Sequence, residues 1–453
     1  MAYKTRKTEG ARWEDSPNGG TGSGDILIKT LRRHRAAKAM RDRDPGTMIL
    51  AEGIRCSLDC RKTRLNNHVL AVGASGSGKT RGLVIPNLLE ASGSYIVSDP
   101  KGNLYRKYKP YLESRGYDVK CVDFIHPERS IGYNPLQYIR STQDVVKMSN
   151  MLVYQQVKVR TLDPFWDDAG SILLGSLIAY LLENQELRQD MRTLENVIKL
   201  LCAGRRGENP DGKTTLETLM ENYSRRNPDS WAYKQFEKVN VAANRTFDSI
   251  LITLTAKLRN FDTLQLNQML QKDEVHLSMI GQQKTAVFVV VSDTDRSMDN
   301  LANLFFTQAM NELCLYADEE CEDNCLPVPV RFILDDFATN CRIEEFPRMI
   351  SSIRSRGISA MLMLQSEGQL KEGYGSDGRT IIGNCDTYVY LGGNDVETAR
   401  AVAERCDLPL RSLLYMPVGE CWIFRRGQEP VKAHTLDLDQ YVKELQDLYE
   451  ELR

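Results

Sequence analysis

The sequence predicts an α/β protein with a doubly wound, mostly parallel central sheet and an inserted all-α domain. Short, β-branched apolar runs alternate with longer helical patterns from residue 65 onward, as expected for strands separated by helices. Most of these runs are continuously apolar, which is typical of parallel strands buried on both faces. Between residues 124 and 285 the strand signal vanishes and helical periodicity replaces it, so a helical insert interrupts the sheet.

The predicted strands fall into two groups, one on each side of the insert. Within the insert, Asp163 and Pro164 mark a helix start, because an N-cap residue is followed by the proline that the first helical position tolerates. The predicted strands cover residues 68–74, 95–98, 119–124, 285–291, 331–335, 360–364, 387–392 and 421–424.

The same patterns predict the domain organisation. Residues 51–139 and 276–435 form the α/β domain, and residues 140–275 form the all-α domain. Residues 1–50 form a basic, partly flexible N-terminal arm. Residues 436–453 form a C-terminal amphipathic helix, whose apolar face predicts either packing on the chain's own core or docking of a substrate protein.

The composition excludes several classes of protein. The 453 residues are 42% hydrophobic and 26% charged, which rules out wholesale disorder and collagen-like repeats. The net charge is −2, but residues 1–50 carry eleven Lys/Arg against six Asp/Glu. Such an arm is typical of segments that touch anionic lipid, nucleic acid or a partner protein, and equally of a solvated terminus.

Membrane and export signals are weak in this sequence. No apolar run approaches the roughly 18 residues of a membrane span. Eleven cysteines are scattered through a chain with a polar start, which predicts reduced thiols and a cytoplasmic location.

The strongest chemical signal is the segment Gly-Ala-Ser-Gly-Ser-Gly-Lys-Thr, which ends at Thr80 and matches the phosphate-binding loop GxxxxGK[ST]. An apolar run precedes it and a helical run follows, as the motif requires. Its glycines let backbone N–H groups point at the β-phosphate. Lys79 would bridge the β- and γ-phosphates and Thr80 would coordinate Mg²⁺, so ATP and Mg²⁺ are the expected ligands. The predicted nucleotide-binding residues are Gly73, Ala74, Ser75, Gly76, Ser77, Gly78, Lys79, Thr80 and Arg81.

A second motif supplies carboxylates. Arg331-Phe-Ile-Leu-Asp335-Asp336 is an apolar strand that ends in two acids. Asp335 is predicted to hold Mg²⁺ together with Thr80, and Asp336 is predicted to polarise the attacking water as a general base. An acidic strand end is common at the start of a loop, so it is the pairing with the phosphate-binding loop that favours the functional interpretation.

Three further polar residues fit hydrolysis. Gln365 closes the next apolar strand, where its amide could sense the γ-phosphate or its water. Arg354 and Arg356 lie just before that strand, where either could reach the nucleotide of a neighbouring subunit as an arginine finger. The alternatives are a polar strand end for Gln365 and a surface charge for either arginine.

These motifs, in this order, resemble those of the conjugative coupling ATPases of type IV secretion, the TraG-like branch. The phosphate-binding loop continues as Arg-Gly-Leu-Val-Ile-Pro86-Asn, as it does in the family, and the resemblance covers about residues 65–430. The further matching segments are Ser98-Asp99-Pro100-Lys101-Gly102, Tyr133-Asn134-Pro135-Leu136, Asp163-Pro164-Phe165-Trp166, Leu334-Asp335-Asp336-Phe337-Ala338, Gln365-Ser366, Gln369-Leu370 and Tyr374-Gly375.

The resemblance implies a RecA-like motor domain with an all-α insert, assembled as a homo-hexameric ring that pumps DNA. Such proteins receive single-stranded DNA bound to a relaxase and feed it to a secretion channel at the cytoplasmic membrane. Carried onto this sequence, the resemblance assigns phosphate and metal binding to the loop and sensing to Gln365. It assigns the finger to Arg354, with Arg356 as the substitute.

Two departures from the family pattern affect these expectations. The second acid is usually glutamate in the family, whereas Asp336 is shorter by one methylene, which predicts slower turnover. The family usually begins with transmembrane helices, whereas this sequence has no apolar run of that length. We therefore expect a separate membrane protein or the basic arm to tether the ring. Two other functions stay open: a nucleotide-dependent substrate receptor that hydrolyses slowly or not at all, and a DNA pump of the FtsK or packaging type.

Overall fold

The structure, a computed structural model, describes residues 46–154, 163–206, 212–337 and 341–451. These residues form two compact units. Residues 46–125 and 276–451 make up the sheet unit, and the described residues of 126–275 make up the helical unit. Residues 1–45 of the predicted basic arm and Ala338 of the acidic motif lie outside the described residues.

The sheet unit is built on a nine-stranded sheet and a separate hairpin. Its strands are β1 (Thr47–Ala51), β2 (Ile54–Ser57), β3 (Val69–Val72), β4 (Ser94–Ser98), β5 (Asp118–Asp123), β6 (Thr285–Val290), β7 (Val330–Leu334), β8 (Ile358–Leu364), β9 (Thr387–Tyr390), β10 (Glu420–Arg425) and β11 (Val431–His434). The large sheet has the order β11-β10-β9-β3-β8-β7-β4-β6-β5, and β1 pairs with β2. From β9 to β5 all neighbours are parallel, whereas β10 and β11 extend the sheet antiparallel.

All eight predicted strands are present, and the mostly parallel α/β fold with helices is confirmed. Three strands were not predicted: the β1–β2 hairpin and β11. The hairpin strands are short and flank a turn at Gly53, and β11 is an exposed edge strand. Strands β2 and β11 carry too few apolar residues in a row to give a strand signal, whereas β1 falls at the end of the predicted basic arm.

Seventeen helices occur in the described residues. They are α1 (Cys60–Thr63), α2 (Ile85–Leu89), α3 (Asn103–Ser114), α4 (Thr142–Val153), α5 (Phe165–Glu183), α6 (Leu194–Cys202), α7 (Thr215–Arg226), α8 (Trp231–Asn240), α9 (Asn244–Leu258), α10 (Leu264–Met269), α11 (Asp299–Glu320), α12 (Phe346–Met349), α13 (Gly368–Tyr374), α14 (Gly378–Gly383), α15 (Val396–Cys406), α16 (Leu410–Leu414) and α17 (Leu438–Glu451). Helices α4 to α10 belong to the helical unit, and the others belong to the sheet unit.

The helical unit is organised around α5. This helix packs against α4, α6, α8 and α9, and residues on all its sides are buried, among them Leu173 and Leu177. Among the described residues, α5 alone has the length and mean apolarity of a membrane span, and 78% of its apolar window is buried inside the structure. Gly175 and Ser176 interrupt the apolar residues of α5, so the sequence contains no uninterrupted apolar run as long as this helix.

The helix after the phosphate-binding loop begins with an unusual turn. Residues Thr80–Val84 form a π-helical turn, in which the Ile85 N–H donates to the carbonyl of Thr80. Pro86 follows in the first turn of α2 and has no N–H to donate. A proline ring clashes with the carbonyl four residues earlier, here that of Gly82. The wider π-helical turn accommodates Pro86 without ending the helix.

The C-terminal helix α17 packs on the sheet unit. Leu438 and Tyr441 are buried in its core. The Tyr441 hydroxyl also donates to Oε1 of Glu90 at 2.6 Å. Of the two predicted uses of this apolar face, the structure therefore shows packing on the chain's own core.

Asn87 joins the β1–β2 hairpin to the core. It is fully buried in α2, and its Nδ2 donates to the carbonyl of Ile49 at 2.8 Å while the Ile49 N–H donates to Asn87 Oδ1 at 3.0 Å. A second bond from Nδ2 reaches the carbonyl of Leu83 at 2.8 Å. One buried amide therefore satisfies both backbone groups of a strand residue.

Replacing Asn87 by alanine is expected to destabilise the protein by about 2–4 kcal/mol. The substitution leaves the buried N–H and C=O of Ile49 without partners, and each unsatisfied group costs about 1–3 kcal/mol. Urea denaturation of the two proteins measures the difference. Gln440→Ala, at an exposed position of α17, is the control and should change stability by less than about 0.5 kcal/mol. Equal effects of the two substitutions would contradict the role given to Asn87.

Candidate nucleotide-binding site

The predicted site residues gather at the carboxyl edge of three adjacent strands. In the sheet, β3, β8 and β7 are neighbours and run parallel, so their carboxyl ends meet at one edge. The phosphate-binding loop follows β3, Gln365 follows β8, and Asp335 and Asp336 follow β7. Strand pairing thus brings together motifs that are far apart in the sequence.

The phosphate-binding loop has an open, curled backbone. Gly76 and Gly78 have φ angles of +78° and +93°, a region that residues with a Cβ rarely adopt. The hydroxyl oxygen of Ser77, between them, is buried without a hydrogen-bond partner. A curled loop of this kind directs successive N–H groups at one point, which is the geometry of an anion site.

Backbone bonds anchor the start of the loop. The Gly73 N–H donates to the carbonyl of Leu364 at 3.0 Å, and the Ala74 N–H donates to the carbonyl of Gly392 at 2.9 Å. The Lys79 ammonium is buried and donates to the carbonyls of Gly73 and Ala74. Burial lowers the pKa of Lys79, and the nearby carboxylates of the acidic motif oppose that shift.

Thr80 and Asp335 meet at the predicted metal position. The Thr80 hydroxyl donates to Asp335 Oδ2 at 2.9 Å. Burial raises the pKa of Asp335, and the bond from Thr80 partly offsets this. The backbone of Asp335 is held by Ser98 at the end of β4: its N–H donates to Ser98 Oγ at 2.7 Å, and Ser98 Oγ donates to its carbonyl at 2.9 Å. Ser98 belongs to a segment that matches the family pattern, but the sequence alone did not predict a role for it.

The donor set around Thr80 and Asp335 fits Mg²⁺. Mg²⁺ prefers hard oxygen ligands and usually takes one or two carboxylates beside phosphate and water oxygens. A hydroxyl and a carboxylate in hydrogen-bonding contact present two such oxygens to one point. No cluster of three or more His, Cys, Asp or Glu side chains that could hold a metal occurs in the described part of the chain.

Asp336 and Gln365 are also in contact. Gln365 Nε2 donates to Asp336 Oδ1 at 3.2 Å. Asp336 adopts a left-handed backbone conformation, with φ +52°, which costs free energy in a residue other than glycine and is characteristic of functional sites. The Gln365 N–H donates to Oε1 of Gln369 at 2.7 Å, so the turn after β8 is itself braced.

The two candidate finger arginines lie at the opposite edge of the sheet. Both belong to the turn Ile353–Arg356, which precedes β8, whereas the phosphate-binding loop lies beyond its far end. Seven residues of strand separate the edges by roughly 20 Å, so neither arginine reaches the loop of its own chain. Arg356 forms a two-point ion pair with Asp318, at 2.8 and 2.7 Å. Arg354 is exposed and makes one long contact, 3.4 Å, with the carbonyl of Cys60.

Arg81 takes a position at the rim of the site. Its guanidinium pairs with Asp439 of α17 at 2.9 Å, and both side chains are largely exposed. Its guanidinium is therefore already engaged by a carboxylate of α17.

Asp299, at the start of α11, is a buried carboxylate near the acidic motif. Its Oδ2 contacts Arg296 Nε at 3.2 Å, while Oδ1 is buried without a partner. Its charge acts on Cys341, as do the charges of Asp335 and Asp336. Burial raises the pKa of Asp299 from 3.8 to about 6. No sequence motif includes Asp299.

Asp299→Asn is expected to stabilise the protein by about 1–2 kcal/mol at pH 7.5 and to change little at pH 4.5. Because the pKa is raised in the folded state, the folded protein holds a proton that the unfolded chain has released between about pH 4 and pH 6. This carboxylate therefore weakens stability as pH rises through that window. Urea denaturation at the two pH values measures the effect, and equal changes at both would contradict it.

The chain matches one family of known proteins over most of its length. A family model described as type IV secretory system conjugative DNA transfer matches residues 27–407, most of the chain. The chain belongs to this family. The membership that the motifs predicted is thereby confirmed.

Two relatives are distant from this chain in sequence. The conjugal transfer protein TraG of Escherichia coli is 24% identical over 361 residues, which make up 74% of this chain and 54% of TraG. The type IV secretion system-coupling protein VirD4 of Bartonella henselae is 20% identical over 353 residues, 75% of this chain and 53% of VirD4. The chain thus spans about half the length of these relatives.

Solved structures confirm the fold. The bacterial conjugative coupling protein TrwB superposes with a TM-score of 0.64 at 16% identity, over 89% of this chain and 92% of the TrwB chain. TrwB has been solved in complex with the ATP analogue ADPNP, and with ADP and Mg²⁺.

Proposed function

We propose that this member of the family hydrolyses ATP with Mg²⁺ and thereby moves single-stranded DNA, with its bound relaxase, into a type IV secretion channel. The observation that carries the proposal is the meeting of Thr80, Asp335, Asp336 and Gln365 beside the phosphate-binding loop. The nucleotide complexes of TrwB and the names of TraG and VirD4 support the same activity and pathway.

Nucleotide binding would use the loop and its lysine. The N–H groups of residues 76–80 would surround the β-phosphate, and Lys79 would exchange its carbonyl contacts for β- and γ-phosphate oxygens. Because Lys79 is buried, its charge would act in a poorly solvated setting, where electrostatic attraction is strong. Mg²⁺ held by Thr80 and Asp335 would neutralise charge on the phosphates.

Hydrolysis would use the acid and the amide beside it. Asp336 would accept a proton from the attacking water, and Gln365 would orient that water toward the γ-phosphate. The contact between the two side chains places base and sensor within one hydrogen bond of each other. The water oxygen would form the new bond to phosphorus, and the β-phosphate oxygen would leave with ADP.

The arginine finger would come from a neighbouring protomer. Arg354 is the better candidate, because Arg356 already pairs with Asp318. A finger on the opposite edge of the sheet can act only between subunits, which fits a homo-hexameric ring that assembles head to tail. Such a ring would lie at the cytoplasmic face of the membrane, held by a separate membrane protein or by the basic arm.

One alternative function is favoured by a specific residue. Asp336 stands where the family usually has glutamate, and a shorter acid could leave the protein a nucleotide-dependent receptor that hydrolyses slowly or not at all. Membership in the conjugative DNA transfer family favours a coupling protein over a DNA pump of the FtsK or packaging type.

The proposal is tested by displacement of streptavidin from the end of a biotinylated single-stranded oligonucleotide. We expect ATP-dependent displacement by wild type and none by Lys79→Ala. DNA and nucleotide binding without displacement, at concentrations where the protein self-associates on the DNA, would favour the receptor function.

A further inference from the structure

The strand order separates the two ends of a nucleotide bound at the loop. Strands β8 and β7, which carry Gln365 and Asp336, lie on one side of β3, and β9 and β10 lie on the other. The γ-phosphate must face the side that carries the base and the sensor. The nucleoside therefore extends to the opposite side, over the edge where β9 ends and β10 begins.

A loop of the sheet unit borders that side. The Tyr415–Gly419 loop connects α16 to β10. A Cβ atom placed on Gly392 would lie 3.1 Å from Met416 Cε. The carbonyl of Gly392 in turn accepts the N–H of Ala74 in the phosphate-binding loop. Gly392 therefore lies between Met416, at one end of the Tyr415–Gly419 loop, and Ala74 of the phosphate-binding loop.

The other end of this loop reaches the helix that follows the phosphate-binding loop. The carbonyl of Gly419 accepts the N–H of Thr435 at 2.8 Å. Thr435 lies against Gly82, where an added Cβ would come within 3.3 Å of the Thr435 Cβ. Gly82 is two residues beyond Thr80, so the absence of a side chain there permits the close approach.

The Tyr415–Gly419 loop exposes two large apolar side chains to solvent. Tyr415 is 75% exposed and Val418 is 88% exposed. Val396, at the start of α15 just after β9, is 46% exposed. Single exposed apolar residues are ordinary on a protein surface, so it is their place in a loop that borders the phosphate site that points to a ligand. The Arg411 guanidinium lies over one face of the Tyr415 ring, 5.6 Å from its centroid, which leaves the opposite face for a second planar group.

We propose that the Tyr415–Gly419 loop binds the nucleoside half of the nucleotide, with the base stacked on Tyr415 and Val418 against its edge. The inference rests on the proposed function, because it needs a triphosphate in the loop. Stacking on an aromatic ring contributes substantially to base binding and discriminates little among bases, since every base has a π-face. ATP and GTP analogues are therefore expected to bind with affinities within a few-fold of each other.

The experiment compares two ligands that differ only in the nucleoside. Calorimetric titration gives the Kd of ADPNP and of inorganic tripolyphosphate, each with Mg²⁺, for wild type and for Tyr415→Ala/Val418→Ser. We expect the double variant to bind ADPNP about tenfold more weakly and tripolyphosphate within twofold of wild type. Tyr415→Phe keeps the ring and should bind both ligands like wild type. The control is Ile252→Ser, at a 70% exposed apolar residue of the helical unit.

Each other outcome overturns the inference in a distinguishable way. An equal loss for both ligands shows that the loop only shapes the phosphate site, and no loss for either shows that the nucleoside lies elsewhere. Unchanged ADPNP affinity with reduced self-association in sedimentation velocity identifies a subunit contact instead. If wild type binds neither ligand and Lys79→Ala behaves the same, the proposed function fails together with the inference.

Discussion

Asp336→Asn should lower the kcat of ATP hydrolysis by about 10²- to 10⁴-fold, the usual contribution of a positioned general base. Nucleotide affinity should stay within a few-fold of wild type, because Lys79, Thr80 and Asp335 are untouched. The asparagine can still bond to Gln365, so the turn after β7 should keep its shape. Steady-state hydrolysis gives kcat, and calorimetric titration of ADPNP gives the affinity.

The matched control for this residue is Asp336→Glu. It restores the acid that the family usually carries and should keep at least wild-type kcat, because the carboxylate then reaches further toward the water. If Asp336→Asn kept more than half of wild-type kcat, Asp336 would not be the base.

Arg354→Ala should lower kcat by about 10³-fold or more with little change in nucleotide affinity, as loss of an arginine finger does. The physical reason is that a finger stabilises charge that develops in the transition state, not charge in the bound substrate. Arg354 is exposed at the edge of the sheet opposite its own phosphate-binding loop, so the effect must pass between protomers. Arg356→Ala is the control, and it should lose mainly the ion pair with Asp318.

Mixing two inactive variants tests the transfer between protomers. Lys79→Ala has no working nucleotide site but keeps its finger, and Arg354→Ala has the reverse. A mixture should therefore recover part of the hydrolysis that neither protein shows alone. No recovery, under conditions where the two proteins co-assemble, would exclude Arg354 as a finger acting in trans.

The fold was predictable where local pattern and global fold agree. Parallel strands such as β3, β6 and β7 are buried on both faces, so their sequences are continuously apolar and easy to identify. The β1–β2 hairpin was not predictable, because it is held in place by the buried amide of Asn87, a contact across 38 residues of sequence. Nothing in the residues around Ile49 signals that partner.

Part of the candidate site was also predictable from local sequence pattern, and part was not. The phosphate-binding loop, Asp335 and Gln365 were predictable because phosphate chemistry restricts residue types and spacing. The hydrogen bonds between Ser98 and Asp335 depend on the pairing of β4 with β7. Arg356 is the poorer finger candidate because it forms an ion pair with Asp318 of α11. Both follow from which elements become neighbours, and this is a property of the fold rather than of any local pattern.

We propose that the paired acids and the phosphate-binding loop hydrolyse ATP in response to DNA. The most direct measurement is steady-state ATP hydrolysis by wild type and by Lys79→Ala, with and without single-stranded DNA, over a range of protein concentrations that includes the assembled state. We expect hydrolysis by wild type that single-stranded DNA stimulates and that Lys79→Ala abolishes. Equal rates for the two proteins, or no hydrolysis by wild type in any assembled state, would contradict it.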